Sequence, residues 1–179
     1  MKKLLIVIDM QNDFVDGALG TPEAQSIVTN VVRKIESWDG DICRTMDSHD
    51  ENYLESQEGQ KLPVPHCIVG SDGWRMNPAV LEALSKKEYT SLLKPTFGCV
   101  NLIEHIDQVY GWKNLERIEL VGLCTDICVV SNALLLKAFY PELPISVDAS
   151  CCAGVTPESH KAALTTMKMC QIEVTGEAL

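Results

Sequence analysis

Lys3 to Asp9 reads KLLIVID, an unbroken apolar run closed by an acid. A strand exposed on one side alternates apolar and polar residues. This one does not, so both of its faces need cover. That requirement fits the interior of a parallel sheet with helices on both sides. Arg117 to Leu123 (RIELVGL) is a second strand of the same kind.

Between and after these runs the pattern alternates. Pro22 to Trp38 has proline at a helix start and Ile27, Val31 and Ile35 at four-residue spacing, which predicts an amphipathic helix. Strands are expected at Asp41–Met46, Tyr89–Leu93, Ile145–Val147 and Ile172–Val174. Helices are expected at Pro78–Leu84, Val100–Tyr110, Asp126–Tyr140 and Pro157–Met169. Ser48 to Trp74 is polar, rich in Gly and Pro and weakly patterned, and a loop of that length is usually functional. Strand and helix alternate about six times. The expected fold is therefore a three-layer α/β/α arrangement, Rossmann-like, with a mostly parallel six-stranded sheet and right-handed crossovers. No repeat, linker or low-complexity tract divides the 179 residues, so one domain over 1–179 is expected.

Charge and length remove other classes. With 15 Lys and Arg against 25 Asp and Glu, the net charge is −10, which repels phosphate backbones and disfavours nucleic-acid binding. The run Leu4–Ile8 falls far short of the roughly 20 residues of a membrane span. Asp9 and Asp13 interrupt it and no small-residue cleavage site follows, so a secretion leader is not expected. Eight cysteines without such a leader suggest reduced thiols in a cytoplasmic protein, and Cys43, Cys67, Cys99, Cys124, Cys151 and Cys170 lie in or beside apolar segments. A structural zinc site from Cys124, Cys128, Cys151 and Cys152 has the wrong spacing.

In open parallel sheets, ligands bind beyond the carboxyl ends of the strands. Those ends carry Asp9, then Asp47-Ser48-His49, then Lys94, then Cys124-Thr125-Asp126-Ile127-Cys128. Cys128 follows a strand at the start of a helix, where the helix terminus and a cation such as Lys94 would lower a thiol pKa. Taken alone it is equally compatible with a buried structural cysteine. An acid beside it, Asp9, could move protons. Asp47 and His49, two residues apart, share a side, and His66 from the loop would complete a facial metal set, with Glu58 as a further carboxylate. Such ligands fit zinc, iron(II) or manganese(II). His105 reads as packing, and His160 as an exposed residue of a first helical turn.

Four blocks together resemble the isochorismatase-like cysteine hydrolases, and among them the nicotinamidases. They are Leu5–Phe14, Asp47-Ser48-His49 with Pro65-His66-Cys67 and Gly70–Gly73, Lys94-Pro95, and Gly122–Val129. The resemblance implies a triad of Asp9, Lys94 and Cys128. It also implies a cis peptide between Leu123 and Cys124, and an oxyanion hole from the Cys124 and Cys128 N–H groups. Asp47, His49, His66 and, in place of a histidine many relatives carry, Glu58 would hold a divalent metal, zinc first. Phe14, Trp74 and Phe97 are candidate walls for a flat ring, with ordinary packing as the alternative. Cys124 stands where the family usually has alanine. The implied activity is hydrolysis of nicotinamide or a similar small aromatic carboxamide through a thioester, by a protein that self-associates. A ureido or carbamoyl amide is the second substrate class, and a non-catalytic partner module the third reading.

Overall fold

The structure is a computed structural model and describes residues 1–177. β1 (Lys2–Ile8) leads through the one-turn α1 (Asn12–Val15) to α2 (Pro22–Ser37) and β2 (Asp41–Asp47). A long connection follows, holding α3 (Gln57–Lys61) and α4 (Pro78–Ser85), and then β3 (Tyr89–Lys94), α5 (Asn101–Val109) and β4 (Leu115–Leu123). One wide turn, Thr125–Val129, opens into α6 (Val130–Phe139), and β5 (Ile145–Ala153), α7 (Pro157–Met169) and β6 (Glu173–Thr175) complete the order.

The strands form one six-stranded sheet in the order β3-β2-β1-β4-β5-β6, and every pairing is parallel. β1 and β4 are its central pair. Leu4 to Ile8 are fully buried, each such side chain contributing about 1.5–3 kcal/mol. Leu4, Ile6 and Ile8 pack with α5, α6 and α7, and Leu5 and Val7 with α2 and α4. The unbroken apolar run is thus explained by cover on both faces.

Three helices start where a side chain caps them just before proline. Thr21 accepts from Ala24 N and Asn77 from Ala79 N, and Thr156 shares a reciprocal cap with Ser159. Three expectations shift. β5 is nine residues long, not three. The helix after β4 does not begin regularly: Val129 N donates to Cys124 O, five residues back, at 3.0 Å, giving a turn wider than an α-helical one. The Ser48–Trp74 connection contains short helical turns at Tyr53–Glu55 and Gln57–Lys61.

The chain leaves β1 toward β2 on one side and returns through β4 on the other. The crevice therefore opens at the carboxyl ends of β1 and β4. Gly122 lets these two ends approach: it has φ +120° and a Cβ there would lie 2.1 Å from Ile8 O. Among the described residues no helix is long and apolar enough to cross a membrane.

Candidate active site

Asp9 is the first residue past β1, fully buried, with φ +46°. The Thr45 hydroxyl donates to its Oδ1 at 2.7 Å, and Lys94 Nζ lies 2.7 Å from Oδ2. Lys94 ends β3 and is 1% exposed. Its ammonium also donates to Asp47 Oδ1 and Thr96 O, both at 3.1 Å, and to Cys128 Sγ at 3.5 Å. Three distant segments thus bring a carboxylate, an ammonium and a thiol into contact.

Their electrostatics differ from the simple expectation of a depressed thiol. Burial pushes the Cys128 thiol well above its ordinary value, the Asp9 carboxylate adds to this, and Lys94 offsets only part. This balance favours the protonated thiol over the thiolate. Burial also raises the Asp9 carboxyl against the pull of Lys94. Lys94 stays charged, because Asp9, Cys128 and Asp47 outweigh its own desolvation. A raised Asp9 beside an un-ionised thiol is suited to accept its proton during attack.

The peptide joining Leu123 to Cys124 is cis. Cys124 O is taken by the wide turn, while among the described residues the Cys124 N–H has no hydrogen-bond partner. Asn132, fully buried on α6, fixes the other end of this turn. Its amide donates to Cys128 O at 2.8 Å and Phe97 O at 3.1 Å, and accepts from Cys99 N at 2.8 Å.

Beside the thiol, ligand atoms of Asp47, His49, Glu58 and His66 all lie within 4.8 Å of one another. His49 Nε2 is 2.9 Å and His66 Nε2 3.5 Å from Asp47 Oδ2, and both nitrogens are 3.7 Å from Glu58 Oε1. His66 Nδ1 is 2.8 Å from Val64 O, which can only accept; the proton sits on Nδ1 and Nε2 turns to the cluster. Burial raises the Glu58 carboxyl and the Asp47 charge raises it further. A divalent cation would relieve both, so this nitrogen and oxygen set fits zinc, iron(II) or manganese(II).

A cavity of about 190 Å³ joins the two clusters. Phe14 and Phe97 line it with Leu19, Leu62, Ile127 and Val155, and Asp47, Glu58, His66, Cys124 and Cys128 reach its surface. Trp74 does not line it. Its indole donates to Ser48 Oγ at 2.9 Å and packs on the α2 side of the core, so its assignment as a wall is corrected. Tyr53 meets the cluster, with ring centroids 4.8 Å from His49 and 4.9 Å from His66, and Phe14 packs edge-on to His66 at 5.5 Å. Tyr53 lies in the weakly patterned loop, where no periodicity marks it.

The block after β1 braces this site. Gln11 is fully buried. It donates to Asp47 O and Trp74 O at 2.8 and 2.9 Å and accepts from Asp47 N at 2.7 Å. Asp13 accepts from Cys67 N at 2.8 Å, next to His66. His160, expected to be exposed, is instead half-buried and 2.8 Å from the Thr125 hydroxyl. His105 packs edge-on to Tyr110 at 5.9 Å. All eight cysteines are free thiols; Cys43, Cys67, Cys99 and Cys151 are buried, Cys124 is half-buried, and Cys170 is exposed, contrary to its apolar surroundings in sequence.

Comparison with known proteins agrees with this architecture. The chain is 28% identical over 174 residues to the uncharacterized isochorismatase family protein PncA of Bacillus subtilis, covering 92% of this chain and 93% of that one. It is 24% identical to the nicotinamidase/pyrazinamidase of Mycobacterium tuberculosis, with 96% and 97% covered. The crystal structure of nicotinamidase/pyrazinamidase PncA from Bacillus subtilis superposes with a TM-score of 0.83 at 27% identity, covering 98% of this chain and all of the other. The isochorismatase domain model matches residues 3–178, nearly the full length, and the chain therefore belongs to the isochorismatase family.

Proposed function

We propose that residues 1–179 act as one cysteine amidohydrolase domain that converts nicotinamide, or a similar small aromatic carboxamide, to the acid and ammonia. The observation that carries this reading is the contact of Lys94 Nζ with both Asp9 and Cys128 at a cavity that the metal-type cluster also lines. Relatives named as nicotinamidases support the substrate.

In this mechanism the carbonyl carbon sits before Cys128 Sγ, and Asp9 takes the thiol proton as the carbon–sulfur bond forms. The carbonyl oxygen gains negative charge and is met by the Cys124 and Cys128 N–H groups. Asp9 returns the proton to the departing nitrogen, the carbon–nitrogen bond breaks, and ammonia leaves a thioester on Cys128. Water then attacks the thioester with Asp9 as base, the acid is released and the thiol is regenerated. Lys94 keeps both partners in register. A divalent ion held by Asp47, His49, Glu58 and His66 would supply a Lewis acid for a ring nitrogen or for water.

The apolar walls of the cavity favour an aromatic carboxamide over the ureido or carbamoyl amide of the second reading. Its described lining residues include no Lys or Arg, and Phe14, Phe97, Ile127 and Val155 suit a flat apolar ring. The test is ammonia release from nicotinamide, benzamide and a ureido acid, by metal-loaded protein and by Cys128→Ala. Turnover of nicotinamide alone, lost in Cys128→Ala with unchanged thermal unfolding, is expected. Full turnover by folded Cys128→Ala would refute the mechanism.

A further inference from the structure

The turn that carries Cys128 is held from a second element. Thr125, its first residue, is fully buried, and its hydroxyl lies 2.8 Å from His160 Nδ1 on α7. The Asp126 carboxylate accepts from Val155 N at 3.1 Å, just before the same helix. Together these bonds tie the start of the nucleophile turn to the start of α7.

The anchor itself is rigid. A Cβ at Gly154 would meet the N, Cα and Cβ of His160 at 2.9 Å each, so the first turn of α7 rests directly on the end of β5. The Thr156 and Ser159 capping box fixes that same turn, with Ser159 N donating to Thr156 Oγ1 at 3.1 Å and Thr156 N to Ser159 Oγ at 3.1 Å. Burial lowers the basicity of His160 against the pull of Asp126 and Glu177, so the imidazole is neutral. Asn132 holds only the far side of Cys128, through its carbonyl and from the helix that the turn itself begins. Lys94 reaches the Cys128 sulfur itself, at 3.5 Å, and not the start of the turn.

We propose that His160 is a positioning residue for the nucleophile. Acting through the Thr125 hydroxyl, it sets the orientation of the Thr125–Val129 turn, and so the direction of Cys128 Sγ and of the adjacent N–H groups. A small error in that direction costs rate more than binding, since the reacting atoms must meet within a near-attack geometry. His160 is not among the residues that line the cavity of Cys128, so its effect should appear in kcat and not in KM.

This inference rests on the amidohydrolase reading, and the experiment separates the two. His160→Ala, His160→Asn, Thr125→Val, the His160→Ala/Thr125→Val double variant and Cys128→Ala are compared with wild type. The readouts are kcat and KM for ammonia release from nicotinamide, the rate of iodoacetamide alkylation at Cys128, and thermal midpoint. His160→Ala and Thr125→Val are each expected to lower kcat about tenfold with KM within about twofold, as the loss of one orienting hydrogen bond implies. The double variant should fall no further than either single change. His160→Asn, whose amide can stand where Nδ1 stood, should recover most of the rate. The alkylation rate should follow the same order without any substrate. Unchanged kcat in folded Thr125→Val, additive losses in the double variant, or rate losses that Asn does not rescue would each overturn the proposal. Persistent turnover in Cys128→Ala would sink the functional reading instead, leaving the alkylation series to decide the positioning role.

Discussion

Lys94 Nζ donates to Asp47 Oδ1 at 3.1 Å, and the other oxygen of that carboxylate faces His49 and His66. One side chain therefore belongs to both clusters. Burial alone would raise the Asp47 carboxyl, but its hydrogen bonds to the two histidines and the charge of Lys94 hold it well below its ordinary value. A change at Asp47 should be felt at the metal cluster and at the thiol.

Asp47→Asn keeps the shape and removes the charge. Its affinity for zinc, read by titration calorimetry, should fall at least about 100-fold. Stripping the wild-type protein with chelator should lower its thermal midpoint, and zinc at a hundred times its Kd should restore about 2.7 kcal/mol. A midpoint indifferent to chelator would rule out a metal at this cluster.

Asp9 must be ionised to accept the thiol proton. Because burial raises its pKa above the ordinary 3.8, activity should be lost on acidification at a pH above that value. The acid limb of the kcat/KM profile measures it; a limb at or below 3.8 contradicts the assignment. Asp9→Asn should lower kcat about 100-fold or more at every pH.

Gln11→Ala deletes an amide that makes three hydrogen bonds with no access to water. The groups left unpaired should cost about 2–3 kcal/mol in urea unfolding. Asp47 loses both backbone tethers, so zinc affinity should weaken in the same variant. A loss of stability without any change in zinc affinity would show that Gln11 only packs.

Away from the site, Lys34 Nζ bridges Glu119 and Asp148 at 2.6 and 2.7 Å, joining α2 to β4 and β5. Burial would raise the Asp148 carboxyl, but Lys34 and Ser150 hold it below 3.8. Its stabilisation is present above 3.8 and is lost as pH falls through the folded value. Lys34 runs the other way: against desolvation, the two carboxylates push it from 10.5 up to about 12, so its contribution is present below 10.5 and lost as pH rises through about 12. Urea midpoints measured across both windows should show these two slopes, and Lys34→Met should flatten them. Equal slopes in the variant would mean that other groups carry the effect.

Much of the fold was legible in the residues themselves. KLLIVID and RIELVGL are apolar on both faces, which only a covered parallel sheet accommodates. Thr21-Pro22 and Thr156-Pro157 mark helix starts because cap and proline act within one turn. Asp9, Lys94 and Cys128 could be singled out because each stands at or just past the end of a strand, and the ends of parallel strands converge whatever the loops do. The boundaries were harder: β5 runs on to Ala153 because the pairing of Gly122 with Cys152 and of Leu123 with Ala153 extends it.

Tertiary structure alone decided the rest. Trp74 turns to Ser48 while Tyr53 reaches the histidines, because a loop's path follows distant contacts and not its own periodicity. His160 and Gln11 gained their roles from partners 35 and 36 residues away. The state of the Cys128 thiol is likewise a sum over burial, Asp9 and Lys94. Local sequence sets which elements form, since their forces act within a few residues; burial and charge balance at a shared cleft exist only once the whole chain has closed around it.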